Sequence, residues 1–170
     1  MFDPLLAADR LPKLAERAMR DAIVTRRSRQ LLVDDALIRF EQLVQRGARD
    51  GIRPALLFAE RDRIVRELGR FMQSRLAVRL FSIHQRDVAS VARAARPFDA
   101  IVRGKRGGLY GVVFRRLATD GRRLESMRAI RNAANGHGPE KLRGVLVYDF
   151  ASGAVRTLRC GARPIELSAA

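Results

Sequence analysis

The residues of this sequence best suited to chemistry gather between positions 97 and 131. Lys105 and Arg106 sit in the glycine-rich run Gly104-Lys105-Arg106-Gly107-Gly108, and Arg115, Arg116, Arg122, Arg123, Arg128 and Arg131 follow within a short stretch. Arginine forks match phosphate geometry in pairs of hydrogen bonds, and several together give binding that weakens steeply with salt. A solvated face explains any one of them; the cluster points to a polyanion. Asp99, in Pro97-Phe98-Asp99, stands where a strand should begin, and a polar strand entrance is its plain structural reading. Glu125 has Arg122 and Arg128 three residues to either side, so surface ion pairs on a helix account for it. The glycine-rich run lacks the Gly-Lys-Ser/Thr spacing of a phosphate-binding loop and follows hairpin logic. His84 and His137 have no partners at zinc-ligand spacing, and Ser126 and Ser152 lie in no nucleophile-elbow context.

A strand-borne Asp, a hairpin, and a second strand leading into a helix: this order, from about residue 85 to 160, resembles the core of the PD-(D/E)XK nuclease superfamily. The resemblance implies an Asp on the first strand, then a Glu or Asp on the second with a Lys two residues later. Alternate strand residues share a face, so the three groups would converge on Mg²⁺, which polarises phosphate and activates water. Asp99 fills the first place. Val113 stands at the second carboxylate and cannot hold a metal, and Arg115 stands at the Lys, where its high pKa makes it a poor proton carrier. No catalytic residue is therefore expected. Were the site active, Asp99 and Glu125 would be its metal ligands, with Arg115 beside them, because some members of the superfamily take the second carboxylate from the following helix. Asp87 and Glu60 are further donors to weigh. No cofactor is expected, and Mg²⁺ enters only with the nuclease reading.

The elements that must position these residues divide near Pro97. Residues 1–96 read as a helical region, a bundle or an interaction arm. Asp3-Pro4 opens a first helix, and Pro12 suits the start of a second helical stretch. Leu32 to Val44 keeps a helical period and should stop near Gly47 or Gly51. Pro54 opens a longer helix with Leu57, Ile64, Val65, Leu68, Phe71, Met72 and Leu76 on one side; arginines, interleaved with Asp62 and Glu67, line the other. Leu76 to Ile83 fits strand or helix equally. Gln85 to Arg96 reads as a short helix that can be counted with either this region or the following unit. Residues 97–170 read as a small α/β sheet domain: strands at Phe98–Arg103 and Leu109–Leu117, a helix from Asp120 to Ala134, and strands at Val145–Phe150 and Ala154–Arg159. The fold class is α+β, with strand-strand-helix-strand-strand order after the helices.

The chain has 170 residues, 47% hydrophobic and 31% charged, which excludes a disordered chain. Its net charge is +16, half of it on residues 97–170, the shorter part. Only Lys13, Lys105 and Lys141 are lysines. GC-rich codons explain arginine in place of lysine but not the excess of basic over acidic residues. A compact chain so charged repels itself unless a partner neutralises it, and nucleic acid, DNA or RNA, is the leading partner. Cys160 is alone, so no internal disulfide forms. The N-terminus lacks a signal-peptide layout and no apolar run is long enough to span a bilayer, so a cytoplasmic protein without a membrane partner is expected. The stripe from Leu14 to Val44 has more apolar positions than a lone helical hairpin needs, which points to a homo-oligomer or larger complex through the N-terminal helices. Three functions follow: a non-catalytic nuclease-like nucleic-acid-binding subunit, a Mg²⁺-dependent nuclease with a rearranged site, and an adaptor that binds an acidic protein.

Overall fold

The structure, a computed structural model, describes residues 4–25, 29–47, 52–81, 98–104, 106, 108–116 and 142–159. It is an α+β fold: four helices, α1 (Pro4–Thr25), α2 (Leu32–Gly47), α3 (Pro54–Met72) and α4 (Arg75–Leu80), then strands β1 (Ala100–Arg103), β2 (Leu109–Arg115), β3 (Gly144–Asp149) and β4 (Val155–Arg159).

Pro12 does not begin a helix; it lies inside α1. A proline there removes one i→i−4 hydrogen bond. Leu11 and Ala15, on either side of it, are buried in the core, and that packing holds the chain helical across the break. At the turn into α2, Leu31 takes φ 61°. Arg39 closes this junction by reaching both the Asp35 carboxylate at 2.8 Å and Thr25 Oγ1 at 2.9 Å. Arg53 precedes α3 in an extended conformation, with Pro54 at the first turn where its missing N–H does no harm. α3 stops at Met72 because Ser74 starts a new helix: its hydroxyl accepts from the Ala77 amide at 3.1 Å. The ambiguous stretch from Leu76 is thus helical as far as Leu80.

The sheet has order β1-β2-β3-β4, with antiparallel outer pairs and a parallel central pair. Parallel strands need a crossover between them; the helix expected at Asp120–Ala134 lies outside the described residues, as does the one at Gln85–Arg96. The β3–β4 turn depends on Gly153, whose φ of +72° suits glycine, with its amide donating to the Asp149 carbonyl at 2.8 Å.

Side chains alternate across the sheet. Ala100, Val102, Val112, Phe114, Tyr148 and, just beyond β3, Phe150 join the helical residues Ala15, Met19, Leu32, Phe40, Ile64, Leu68 and Phe71 in one hydrophobic cluster. The apolar stripes of α1 and α2 are therefore buried inside the chain. Phe71 meets Phe114 and Tyr148 edge-on, with ring centroids 5.5 and 5.1 Å apart. The other face carries Phe98, Val113, Val145 and Val147, also buried. Both faces of the central pair are thus covered, as parallel strands require. Among the described residues, no helix is long and apolar enough to cross a membrane.

Candidate functional site

β1 runs opposite to β2 and β3, so its entrance lies at the carboxyl end of the central pair. That end collects Asp99, Arg115, Arg116 and Asp149; Arg115 and Asp149 are register partners. In sheets with parallel strands this is the end where ligands commonly bind.

Asp99 is held from three directions. Its Oδ2 accepts from the Phe114 amide at 2.8 Å and from Arg115 Nη1 at 3.2 Å, and Oδ1 lies 3.5 Å from Arg20 Nε on α1. Burial pushes its pKa above the ordinary aspartate value, against the opposing pull of the Phe114 amide, Arg115 and Arg20. Arg115 Nη1 also donates to the Phe114 carbonyl at 2.7 Å. Asp99 so engaged braces α1 against the β1–β2 pair. Val113 is 1% exposed in the second apolar face, so no carboxylate stands beside Asp99 on β2.

Arg116 extends just past β2 to the helical side and is gripped by α3. Its Nη2 lies 2.8 Å from each Glu67 oxygen and its Nε 3.2 Å from Oε2. Nη1 lies 4.0 Å from Glu60 Oε2, and the Arg116 amide donates to Glu16 Oε2 of α1 at 3.1 Å. Arg63 holds Glu60 from the other side at 2.8 Å. One arginine therefore ties three carboxylates from two helices to the sheet. Glu67, whose charge puts it with the arginines of α3 when read from the sequence, lies three residues after Ile64 and four before Phe71 and sits in the buried face with them and Leu68.

Two buried oxygens in this region, Glu60 Oε2 and the Tyr148 hydroxyl, have no hydrogen-bond partner among the described residues. Burial pushes the Tyr148 phenol up to about 12, with Arg70 opposing and Glu67 and Asp149 adding to the rise. Asp149 shapes the β3–β4 turn: it accepts from the Ala151 amide at 3.1 Å and the Ser152 hydroxyl at 2.6 Å. Ser152 in turn accepts from the Ala154 amide at 3.2 Å, which makes it a turn residue.

Arg106 lies apart from all of this, exposed in the turn between β1 and β2 at the opposite end of the sheet. Of the remaining sequence candidates, Lys105, Arg122, Arg123, Glu125, Arg128 and Arg131 lie outside the described residues, as do Asp87, His84, His137 and Cys160. Among the described residues no group of three or more His, Cys, Asp or Glu is placed to hold a metal ion.

No protein-family model, curated protein or solved structure matches this chain. The chemistry must be argued from the site itself. Sequence reasoning missed Glu16, Glu60 and Glu67 as partners of Arg116, because ion pairs between distant residues leave no local spacing. It also missed Tyr148, whose strand pattern gives its depth but not the company of its hydroxyl.

Proposed function

We propose that this chain is a nucleic-acid-binding, non-catalytic nuclease-like subunit of a larger complex. One observation carries the reading: the described acidic residues are largely consumed by internal pairing, so the outward charge is positive. Glu16, Asp21, Asp35, Glu41, Glu60, Glu67 and Asp99 all face arginines. Arg53, Arg66, Arg75, Arg106, Arg143 and Arg156 are exposed and have no carboxylate partner among the described residues. A net +16 with most of the described acids paired to arginines leaves a field that attracts a polyanion.

Absence of catalysis is supported by the engagement of Asp99 with Phe114, Arg115 and Arg20, and by Val113 where the second carboxylate would stand. Membership of a complex is supported by Phe58, Ile38 and Val65, large apolar side chains exposed on α3 and α2.

The test is binding of labelled DNA and RNA, followed by fluorescence anisotropy across a salt series. A fall in log K with log salt of roughly 0.9 per phosphate engaged on a DNA duplex is expected. Affinity indifferent to salt would sink the reading. Cleavage with Mg²⁺ or Mn²⁺ that disappears in both Asp99→Ala and Glu125→Ala would overturn its non-catalytic part.

A further inference from the structure

We propose that the hairpin end of the sheet, where Arg106, Arg143 and Arg159 converge, grips the phosphate backbone of a nucleic-acid duplex. The inference rests on the nucleic-acid reading above and names its contact surface.

These arginines are far apart in sequence, and the strand topology assembles them. Arg106 occupies the turn from which β2 departs. The Arg143 amide donates to the Leu109 carbonyl at 2.9 Å, which fixes the start of β3 beside the start of β2. Gly144 pairs with Arg159, so β4 ends at the same place. Adjacent strands lie about 4.8 Å apart, so the three side chains leave the sheet within a span of about 10 Å. All three are exposed.

Gly108 aims one of them. A Cβ at Gly108 would run into Cδ of Arg143 and come within 2.5 Å of its Nε. The stem of Arg143 therefore lies across the base of the hairpin whose tip carries Arg106, and a side chain at Gly108 would make it shift.

The two ends of the sheet are electrostatically unlike. At the carboxyl end of β2 and β3, Asp99, Glu67 and Glu16 meet Arg115, Arg20 and Arg116, and the charges cancel. At the hairpin end no described acidic residue faces Arg106, Arg143 or Arg159. The sequence places Lys105 beside Arg106 and Lys141 two residues before Arg143. A duplex presents one charge per about 1.7 Å of axis, so a span of about 10 Å meets several phosphates.

A duplex fits better than a single strand. Proteins that hold single strands stack bases on aromatic rings. The one exposed aromatic among the described residues is Phe58 on α3, and Tyr110, near the hairpin end, packs against the helical core. Guanidinium contacts to phosphate fix a protein's position on a duplex and carry no sequence information.

The experiment compares the full chain with the triple variant Arg106→Ala/Arg143→Ala/Arg159→Ala and a control triple on the helices, Arg53→Ala/Arg66→Ala/Arg75→Ala. Labelled duplex of mixed sequence is titrated between about 50 and 200 mM salt, and thermal melts verify that both variants fold. Three lost phosphate contacts reduce the slope of log K against log salt by about 2.7, so the wild type loses roughly 40-fold more affinity over that range than the hairpin-end variant. A hairpin-end triple that keeps the wild-type slope while the control loses it overturns the surface and leaves nucleic-acid binding intact. Wild-type protein that binds no duplex overturns both. Tighter binding of a single strand of equal length overturns the duplex assignment. Displacement of the duplex by polyglutamate at equal charge concentration points to an acidic protein in its place.

Discussion

Arg116 is among the arginines the sequence offers to phosphate, yet its guanidinium is committed to α3, and the two roles are separable. Its side chain is 16% exposed, that of Glu67 9%, and that of Glu60 8%. Arg116→Met keeps the stem and removes the cation, leaving Glu67 buried without its counter-charge. Breaking such a pair from one side costs about 3–5 kcal/mol, whereas replacing both partners by apolar groups of similar volume is close to neutral. Arg116→Met/Glu67→Leu should therefore recover most of the loss, since Glu60 retains Arg63. The chain has no Trp, so helical circular dichroism in a urea titration is the natural readout. At a slope of about 2 kcal/mol per molar urea, a loss of 4 kcal/mol lowers the midpoint by about 2 M. The salt slope for duplex binding should stay at the wild-type value in any folded Arg116 variant. A single-variant loss below about 1 kcal/mol would refute the assignment of Arg116 as a buried tie. So would a double variant as damaged as the sum of the singles, or a slope reduced by one phosphate contact.

Two further outcomes follow from the buried polar groups. Tyr148→Phe removes a hydroxyl with no partner among the described residues, so stability should hold or rise by about 1–3 kcal/mol, and the phenol ionising near 12 should vanish from an absorbance titration; a loss of 1 kcal/mol or more, again in urea, would reveal a partner for that hydroxyl. Asp99 has a folded pKa above its ordinary 3.8, so its titration contributes stability that is complete below 3.8 and fades as pH rises through the folded value. Asp99→Asn keeps an acceptor for the Phe114 amide but cannot titrate, so its stability relative to wild type should improve with rising pH over that window. Urea midpoints at both ends of the window check the sign, and a relative decline would contradict it.

Much of the architecture is legible in local pattern. Alternating apolar residues and the glycines between them give β1, β2 and their turn, and the helical period of Leu32–Val44 gives α2 with its end at Gly47. What fails is what local pattern does not encode. Pro12 reads as a boundary because its missing N–H is a local fact, while the core contacts of Leu11 and Ala15 that override it are tertiary. Glu67 reads as a surface acid because charge usually faces water, and only the arrival of Arg116 from 49 residues away makes its burial tolerable. The Leu76 stretch is too short for period to decide, and the Ser74 cap settles it. At the site, Asp99 and Arg115 were legible as neighbours across the β1–β2 pair. The meeting of Arg106, Arg143 and Arg159 was not, because it depends on the parallel register of β2 with β3.

That register has a consequence for how fast the chain reaches this shape. The β1–β2 and β3–β4 pairs join near neighbours in sequence, and such hairpins close in about 1–10 μs. Pairing Tyr110 with Gly144 requires closure of a much longer loop before any ladder bond is gained. The bond from the Arg116 amide to Glu16 spans 100 residues. That parallel pairing is therefore the slow step. The Arg116 ties, which need α1, α3 and the sheet already together, are expected to form after it, so weakening them should quicken unfolding and leave refolding nearly unchanged. The arginine that looks from the sequence like a hand held out to a ligand would then set the lifetime of the folded chain.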